Sequence, residues 1–149
     1  MHSRVQLRFF LYLRTMKRLL FLFFPLAFLT ACQETLEERA AREAVKYTQK
    51  NCPARIDEYT MMDSMTFDKP THTLSYYYRL QGAADRDGIE TGEIRAALLQ
   101  QVKNATHLRA YQEAGYRFRY VYRSAQSPDV TRFDITFSAA DYQRPGKRQ

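Results

Sequence analysis

The hydrophobic and polar positions of this chain follow two different periods from residue 35 onward. Leu36, Ala40, Ala44 and Tyr47 recur every three or four residues, and this spacing predicts a helix over 36–50. Basic and acidic residues fill most of the positions between them, as is typical of an amphipathic helix. The first element after the leader is therefore predicted to be a helix with one apolar face.

Both ends of this helix carry local signals. Thr35 and Glu38 have the Ser/Thr-x-x-Glu spacing of a capping box, which satisfies free backbone N–H groups at a helix start. Pro53 cannot continue a helix, and its ring disfavours helical geometry at Cys52. The sequence therefore predicts both boundaries.

Strand-like alternation occurs in four later segments. The predicted strands cover 55–67, 73–81, 116–123 and 132–137. The first has weaker alternation on two parities, which indicates a bulge, whereas the others alternate clearly. Polar turns at 68–70 and 124–129 are expected to join the strands into two hairpins. Five tyrosines fall on the parity expected to face the core: Tyr76, Tyr78, Tyr116, Tyr120 and Tyr122.

A second helix is predicted between the hairpins, after a polar loop at 82–92. It begins near Glu93, is interrupted at 104–106 and stops before Gly115, since glycine accepts the left-handed geometry on which helices end. Its apolar stripe consists of Ile94, Ala97, Leu98, Val102 and Ala105.

The order of these elements is α-β-β-α-β-β. Two hairpins can form an antiparallel sheet with one apolar face, which both helices can cover. The predicted fold is therefore a two-layer α+β domain, with a four-stranded antiparallel sheet covered on one face by two helices.

The first 31 residues have a different pattern. Lys17 and Arg18 precede an apolar run over 19–30, which is shorter than the roughly 20 residues needed to span a bilayer. A basic start, a short apolar stretch and small residues before a cleavage site are typical of a secretory signal peptide. Met16 directly precedes the basic pair, and we expect it to be the true start.

The leader ends in Leu29-Thr30-Ala31-Cys32, which resembles the lipobox of bacterial lipoproteins. The resemblance implies that the Cys32 thiol receives a diacylglycerol and that cleavage before Cys32 leaves residues 32–149 as one lipid-anchored domain. Gln33 stands where an Asp tends to retain lipoproteins in the inner membrane. The resemblance therefore favours the outer membrane in a double-membraned host.

Removing the leader changes the charge of the chain. Residues 1–31 hold five of the 23 basic residues and none of the 16 acidic ones, so the mature chain carries about +2 instead of +7. No run of like charges remains that would bind phosphate backbones, and we expect no nucleic-acid partner.

Catalytic and metal-binding patterns are weak in the mature chain. Cys52 lies at a predicted helix C-terminus, where the helix dipole raises a thiol pKa, and His72 and His107 form no recognisable Cys–His signature with it. We interpret Cys52 as an inert thiol. No catalytic residue, metal site or cofactor is predicted.

An acidic cluster lies in the polar loop. Asp85, Asp87 and Glu90 could offer oxygen ligands to calcium, but they lack the twelve-residue EF-hand pattern. A solvated acidic loop is the preferred interpretation.

The polar face of the sheet is the candidate binding surface. It is predicted to present Tyr77, Arg79, Arg117, Arg119, Arg123 and Arg132, together with Asp134. Arginine forks recognise carboxylate and phosphate groups, so this face could bind an anionic glycan, a peptide or a protein. The simpler alternative is a solvent-facing sheet whose arginines pair across strands.

These observations favour a non-enzymatic cell-envelope lipoprotein that binds a protein or a glycan. The alternative is a periplasmic inhibitor or immunity-type lipoprotein that blocks a hydrolase through a protruding loop such as 82–92. The expected partners are the membrane, through the N-terminal lipid, and an envelope protein or glycan.

Overall fold

The computed structural model describes residues 34–143, and its first helix, α1, spans Leu36–Asn51. The capping box is confirmed: the Glu38 N–H donates to Thr35 Oγ1 at 3.1 Å, and the Thr35 N–H donates to Glu38 Oε2 at 3.0 Å. The helix ends at Cys52, whose N–H donates to the carbonyl of Thr48. The leader and the Cys32 lipobox lie outside the described residues.

Within residues 34–143 the sheet has five strands, whereas the sequence predicts four. They are β1 (Ala54–Arg55), β2 (Thr60–Asp68), β3 (Thr73–Leu80), β4 (Arg117–Ser124) and β5 (Thr131–Phe137), and they lie in that order across the sheet. The predicted strand over 55–67 divides because the Tyr59 N–H donates to Asp57 Oδ1 and the Ile56 N–H to the carbonyl of Thr60, which together form a turn. The predicted bulge is confirmed between Met62 and Ser64.

The prediction of a wholly antiparallel sheet is wrong. The two hairpins, β2–β3 and β4–β5, are antiparallel, but β3 and β4 run parallel, with Thr73 opposite Arg117 and Leu80 opposite Ser124. The chain between these strands contains helix α2 (Thr91–Asn104), a 3-10 turn (Thr106–Leu108) and helix α3 (Arg109–Glu113). Such a crossover returns the chain to the end of the sheet where β3 began, so the fold is α+β with a mixed sheet.

The helices contribute to one core on one face of the sheet. Ala40 of α1 and Val102 of α2 are fully buried there, together with Leu74, Phe118 and Phe137 of the strands. The five tyrosines predicted to face the core do so, either buried or partly buried against it. The parallel register places Tyr76 beside Tyr120 and Tyr78 beside Tyr122, with ring centroids 5.1 and 4.6 Å apart.

The second helical region agrees with the sequence except at one position. Leu98 and Val102 are buried, but Ala97 is exposed, because the face of α2 that meets the sheet is narrower than the predicted stripe. The helix stops at Asn104, and Gly115 has the expected positive φ of 77°. No helix among residues 34–143 is both long and apolar enough to cross a membrane.

A fourth helix, α4 (Ala139–Tyr142), was not predicted. It is too short to show a periodic pattern in the sequence. The buried Tyr142 hydroxyl donates to the carbonyl of Tyr116 at 2.6 Å, which fixes this turn beside β4.

Candidate binding groove

A groove of about 560 Å³ lies on the helical side of the sheet, between α1 and the segment that contains α2 and α3. Residues of β2 and β3 line its base, and residues of the helices line its two sides. We call this surface the helix groove. The floor, which belongs to the sheet, consists of Met62, Met65, Tyr76 and Tyr78. The first wall, which belongs to α1 and the residues after it, consists of Arg39, Glu43, Lys46, Tyr47, Lys50, Asn51 and Ile56. The second wall, which belongs to the α2–α3 segment, consists of Gln101, His107, Leu108 and Tyr111.

The floor is apolar except for the hydroxyl groups of its two tyrosines. Burial raises the pKa of Tyr76 and of Tyr78 well above the ordinary tyrosine value, so both phenols are neutral across the physiological range. Met62 is buried and Met65 half-buried, and methionine side chains adapt easily to irregular partners. Such a floor suits an apolar ligand surface better than a charged one.

The first wall places apolar and basic side chains next to each other. Tyr47 of α1 is 39% exposed and Ile56 is 54% exposed, although both are large hydrophobic residues. Lys46 and Lys50 are exposed one helical turn apart on the same wall. Hydrophobic side chains that stay exposed beside a groove are typical of protein-binding surfaces.

A hydrogen-bonded bridge joins the two walls. Tyr111 Oη donates to Glu43 Oε2 at 2.7 Å, and Arg39 Nε donates to Glu43 Oε1 at 2.8 Å. Burial opposes ionisation of Glu43, but these two bonds outweigh it and lower the Glu43 pKa below its ordinary value. Glu43, the only carboxylate among the described residues that line the groove, is therefore already bound.

The arginines predicted to form a binding face are mostly paired. Arg79 binds Asp63 and Arg119 binds Asp134, and the guanidinium carbon of Arg123 lies 5.6 Å from the centroid of the Tyr77 ring. Arg117 is exposed at the start of β4. Val121 lies on the same face yet is only 2% exposed, and its neighbours on the adjacent strands are Tyr77 and Asp134.

Arg132 does not join the other arginines. Tyr122 pairs with Phe133 and Arg123 with Thr131, so Arg132 is an extra residue in β5 without a partner opposite it in β4. Its Nε donates to Asp85 Oδ1 at 2.7 Å, and its Nη1 contacts Asp87.

The acidic loop is only partly solvated. The side chain of Asp87 is 97% exposed, as predicted, but that of Asp85 is completely buried. Burial opposes its ionisation, but Ser124 Oγ at 2.7 Å, the Gln126 N–H at 3.1 Å and Arg132 lower the Asp85 pKa to about 2. Across residues 34–143, no three His, Cys, Asp or Glu side chains come together as a metal site.

Cys52 and the two histidines lie in separate environments. Burial, followed by the charge of Asp63, raises the pKa of the half-buried Cys52 thiol. His72 Nε2 lies 2.7 Å from Glu37 Oε1 and its ring stacks on Tyr116, whereas His107 lines the helix groove. Within the described part of the chain, no hydrogen bond links either histidine to Cys52.

The sequence did not reveal the helix groove. The spacing predicts Tyr47 on the apolar stripe of the first helix, but the side chain is 39% exposed in the structure. The only signal in the sequence is the length of the apolar face of α1, which extends beyond the two alanines that the core buries.

Two solved structures are similar to this chain in fold. One is a protein of Pseudomonas aeruginosa provisionally described as secreted, with 14% identity, a TM-score of 0.59 and coverage of 73% of this chain and 98% of the other. The second is EpsS, a pilotin from the type 2 secretion system of Vibrio vulnificus, with 15% identity, a TM-score of 0.58 and coverage of 72% and 92%. No curated protein matches the sequence.

A family match covers most of the described domain. Residues 35–132 match the family described as "Domain of unknown function (DUF8479)", from the N-cap of α1 into β5. The chain therefore belongs to the DUF8479 family.

Proposed function

We propose that the protein is a non-enzymatic lipoprotein of the cell envelope that binds a partner polypeptide in the helix groove. The observation that carries this proposal is the exposure of Tyr47 and Ile56 beside a floor of methionine and tyrosine. Apolar surface costs free energy in water, and a partner that covers it recovers that cost.

The groove is favoured over the arginine face because of the ion pairs described above. Arg79 and Arg119 would have to leave their carboxylates before they could bind an anionic ligand. The groove requires no such exchange, because Lys46, Lys50 and Tyr47 are already exposed. The inhibitor alternative requires a protruding loop, and Asp85 fixes the first part of that loop against β4 and β5 while Asp87 stays exposed.

The proposed location in the cell envelope rests on the leader sequence. Leu29-Thr30-Ala31-Cys32 would place a lipid at Cys32, four residues before α1 begins, and Gln33 favours the outer membrane. The pilotin that shares this fold belongs to a secretion system, which supports a role as an accessory envelope protein.

Paired substitutions test the groove as the binding site. Tyr47→Ser combined with Ile56→Ser removes apolar surface from the groove, whereas Val45→Ser combined with Val130→Ser removes exposed apolar surface elsewhere. We expect the first pair of substitutions to abolish co-purification of the partner with this protein from membranes. The second pair should leave co-purification unchanged. Equal recovery with both pairs would contradict the proposal.

A further inference from the structure

We propose that the groove takes an amphipathic helix of the partner, with its apolar side on the tyrosine–methionine floor and acidic side chains facing Lys46 and Lys50. This inference rests on the proposed function and names the chemistry of the partner. Three features of the groove support this inference: the hydrogen bonding of the backbone around its floor, its length and its charge.

The backbone around the floor offers no partner to an extended peptide. β3 is paired on both sides, with β2 and with β4, and β2 is paired with β1 at Met61 and Met62. Farther along β2, the backbone N–H and carbonyl of Met65 are both bound by Thr48 Oγ1 of α1, at 2.8 and 2.9 Å. A strand added here would leave its own N–H groups without partners, whereas a helix satisfies them internally.

The length of the groove suits a short helix. Beyond the Tyr111–Glu43 hydrogen bond that joins the walls, the first wall runs along α1 from Lys46 to Asn51, which corresponds to roughly 8 Å at a helical rise of about 1.5 Å per residue. Between one and two turns of a partner helix would lie along this open part of the wall. Its residues at i, i+3 and i+4 would contact the floor there, as in other helix-in-groove complexes.

The charges of the two walls differ. Lys46 and Lys50 are exposed and form no ion pair within residues 34–143, whereas Glu43 is bound to Arg39 and Tyr111. The residues between 34 and 143 that form the second wall, Gln101, His107, Leu108 and Tyr111, include no carboxylate or lysine. A helix with acidic residues along one flank would therefore meet opposite charges on the α1 side only. This asymmetry fixes which flank of the partner faces α1.

Two synthetic peptides test this inference. Both have 16 residues and the same leucine and alanine face, but one carries glutamates along one flank where the other carries lysines. Binding to the full-length protein in detergent is measured by fluorescence anisotropy at low and at high salt. We expect the glutamate peptide to bind on the order of tenfold more tightly at low salt, with a smaller difference at high salt.

Charge-reversed variants provide the decisive comparison. Lys46→Glu combined with Lys50→Glu should reverse the preference, so that the lysine peptide binds more tightly. Lys103→Glu combined with Arg109→Glu changes the net charge equally but lies outside the groove, and it should keep the original preference. The methyl NMR signals of Met62 and Met65 should shift with the bound peptide more than that of Met61, which is not part of the groove.

Each other outcome overturns the inference. Equal affinity for both peptides, or the same reversal in the control variant, would exclude recognition by Lys46 and Lys50. Binding of palmitate with no binding of either peptide would identify an acyl chain as the occupant instead. The variant with Tyr47→Ser and Ile56→Ser distinguishes a failure of the proposed function from a failure of the helix inference. If these changes abolish recovery of the natural partner while neither peptide binds, the groove remains the site and only the helix inference fails.

Discussion

Tyr111 Oη donates a 2.7 Å hydrogen bond to Glu43 Oε2, and this bond connects α3 to α1 across the helix groove. The two residues are 68 positions apart in the chain, so the bond can form only when both walls of the groove are in place. Arg39 holds the same carboxylate from within α1. The pair therefore fixes the spacing of the walls that a partner would meet.

Removing this hydroxyl should weaken the domain slightly. Tyr111→Phe keeps the buried ring but deletes the bond, so we expect the free energy of unfolding to fall by about 1 kcal/mol in urea titrations. Tyr59→Phe is the control, because Tyr59 is 39% exposed and its hydroxyl donates no hydrogen bond in the described structure. Equal stability of the two variants would show that the bridge does not hold the walls.

Asp85 and Arg132 should matter more to stability than any exposed ion pair of the domain. Arg132→Gln leaves the fully buried Asp85 carboxylate without its guanidinium partner, so we expect the midpoint of thermal unfolding to fall by several degrees. Arg119→Gln breaks the exposed pair with Asp134 and should cost less than about 1 kcal/mol. A smaller loss for Arg132→Gln than for Arg119→Gln would contradict this assignment.

The same carboxylate predicts a characteristic acid transition. The Asp85 pKa is about 2 in the folded protein and 3.8 as an ordinary aspartate, so the folded state binds its proton less readily than the unfolded state. This contribution to stability is present above pH 3.8 and is lost as the pH falls through about 2. Asp85→Asn should therefore flatten the pH dependence of the unfolding midpoint between these values. An unchanged slope would show that Asp85 does not cause the transition.

Cys52 should react slowly with alkylating reagents. Burial and the nearby Asp63 raise the pKa of its thiol, so less thiolate is present near pH 8 than in an unfolded peptide. We expect iodoacetamide to modify the native protein more slowly than the same protein in denaturant, as followed by mass spectrometry. Faster modification in the native state would indicate an activated thiol.

Cys32 should carry the lipid. Cys32→Ser should abolish incorporation of labelled palmitate and leave the precursor uncleaved, whereas Cys52→Ser should change neither. The comparison uses the two cysteines of the chain as a matched pair. Retention of the label in Cys32→Ser would contradict the lipobox assignment.

Local signals in the sequence predicted much of the fold, but not how its halves join. Thr35 and Glu38 are three residues apart, so the capping box is readable from the chain alone. The parallel pairing of Tyr78 with Tyr122 depends on where a crossover of more than thirty residues returns, and no periodicity encodes that. The contact of Arg132 with Asp85 is not readable from the chain for a related reason, because the two residues are 47 positions apart and Arg132 is an extra residue in β5.

The helix groove depends on the same long-range geometry. Tyr47 has the spacing of a core residue, and only the distance between α1 and the α2–α3 segment decides whether it is covered. A helical stripe shows which residues can be buried, whereas the packing of other elements determines which are buried.

Photo-crosslinking in living cells tests the central claim most directly. A photoreactive amino acid at Tyr47, on the groove wall, is compared with one at Val45, which lies on the same helix outside the groove and is 56% exposed. We predict one discrete crosslinked protein from position 47 and none from position 45, with loss of the product when Ile56→Ser is added. Equal crosslinking from both positions, or none from position 47, would contradict binding in the groove.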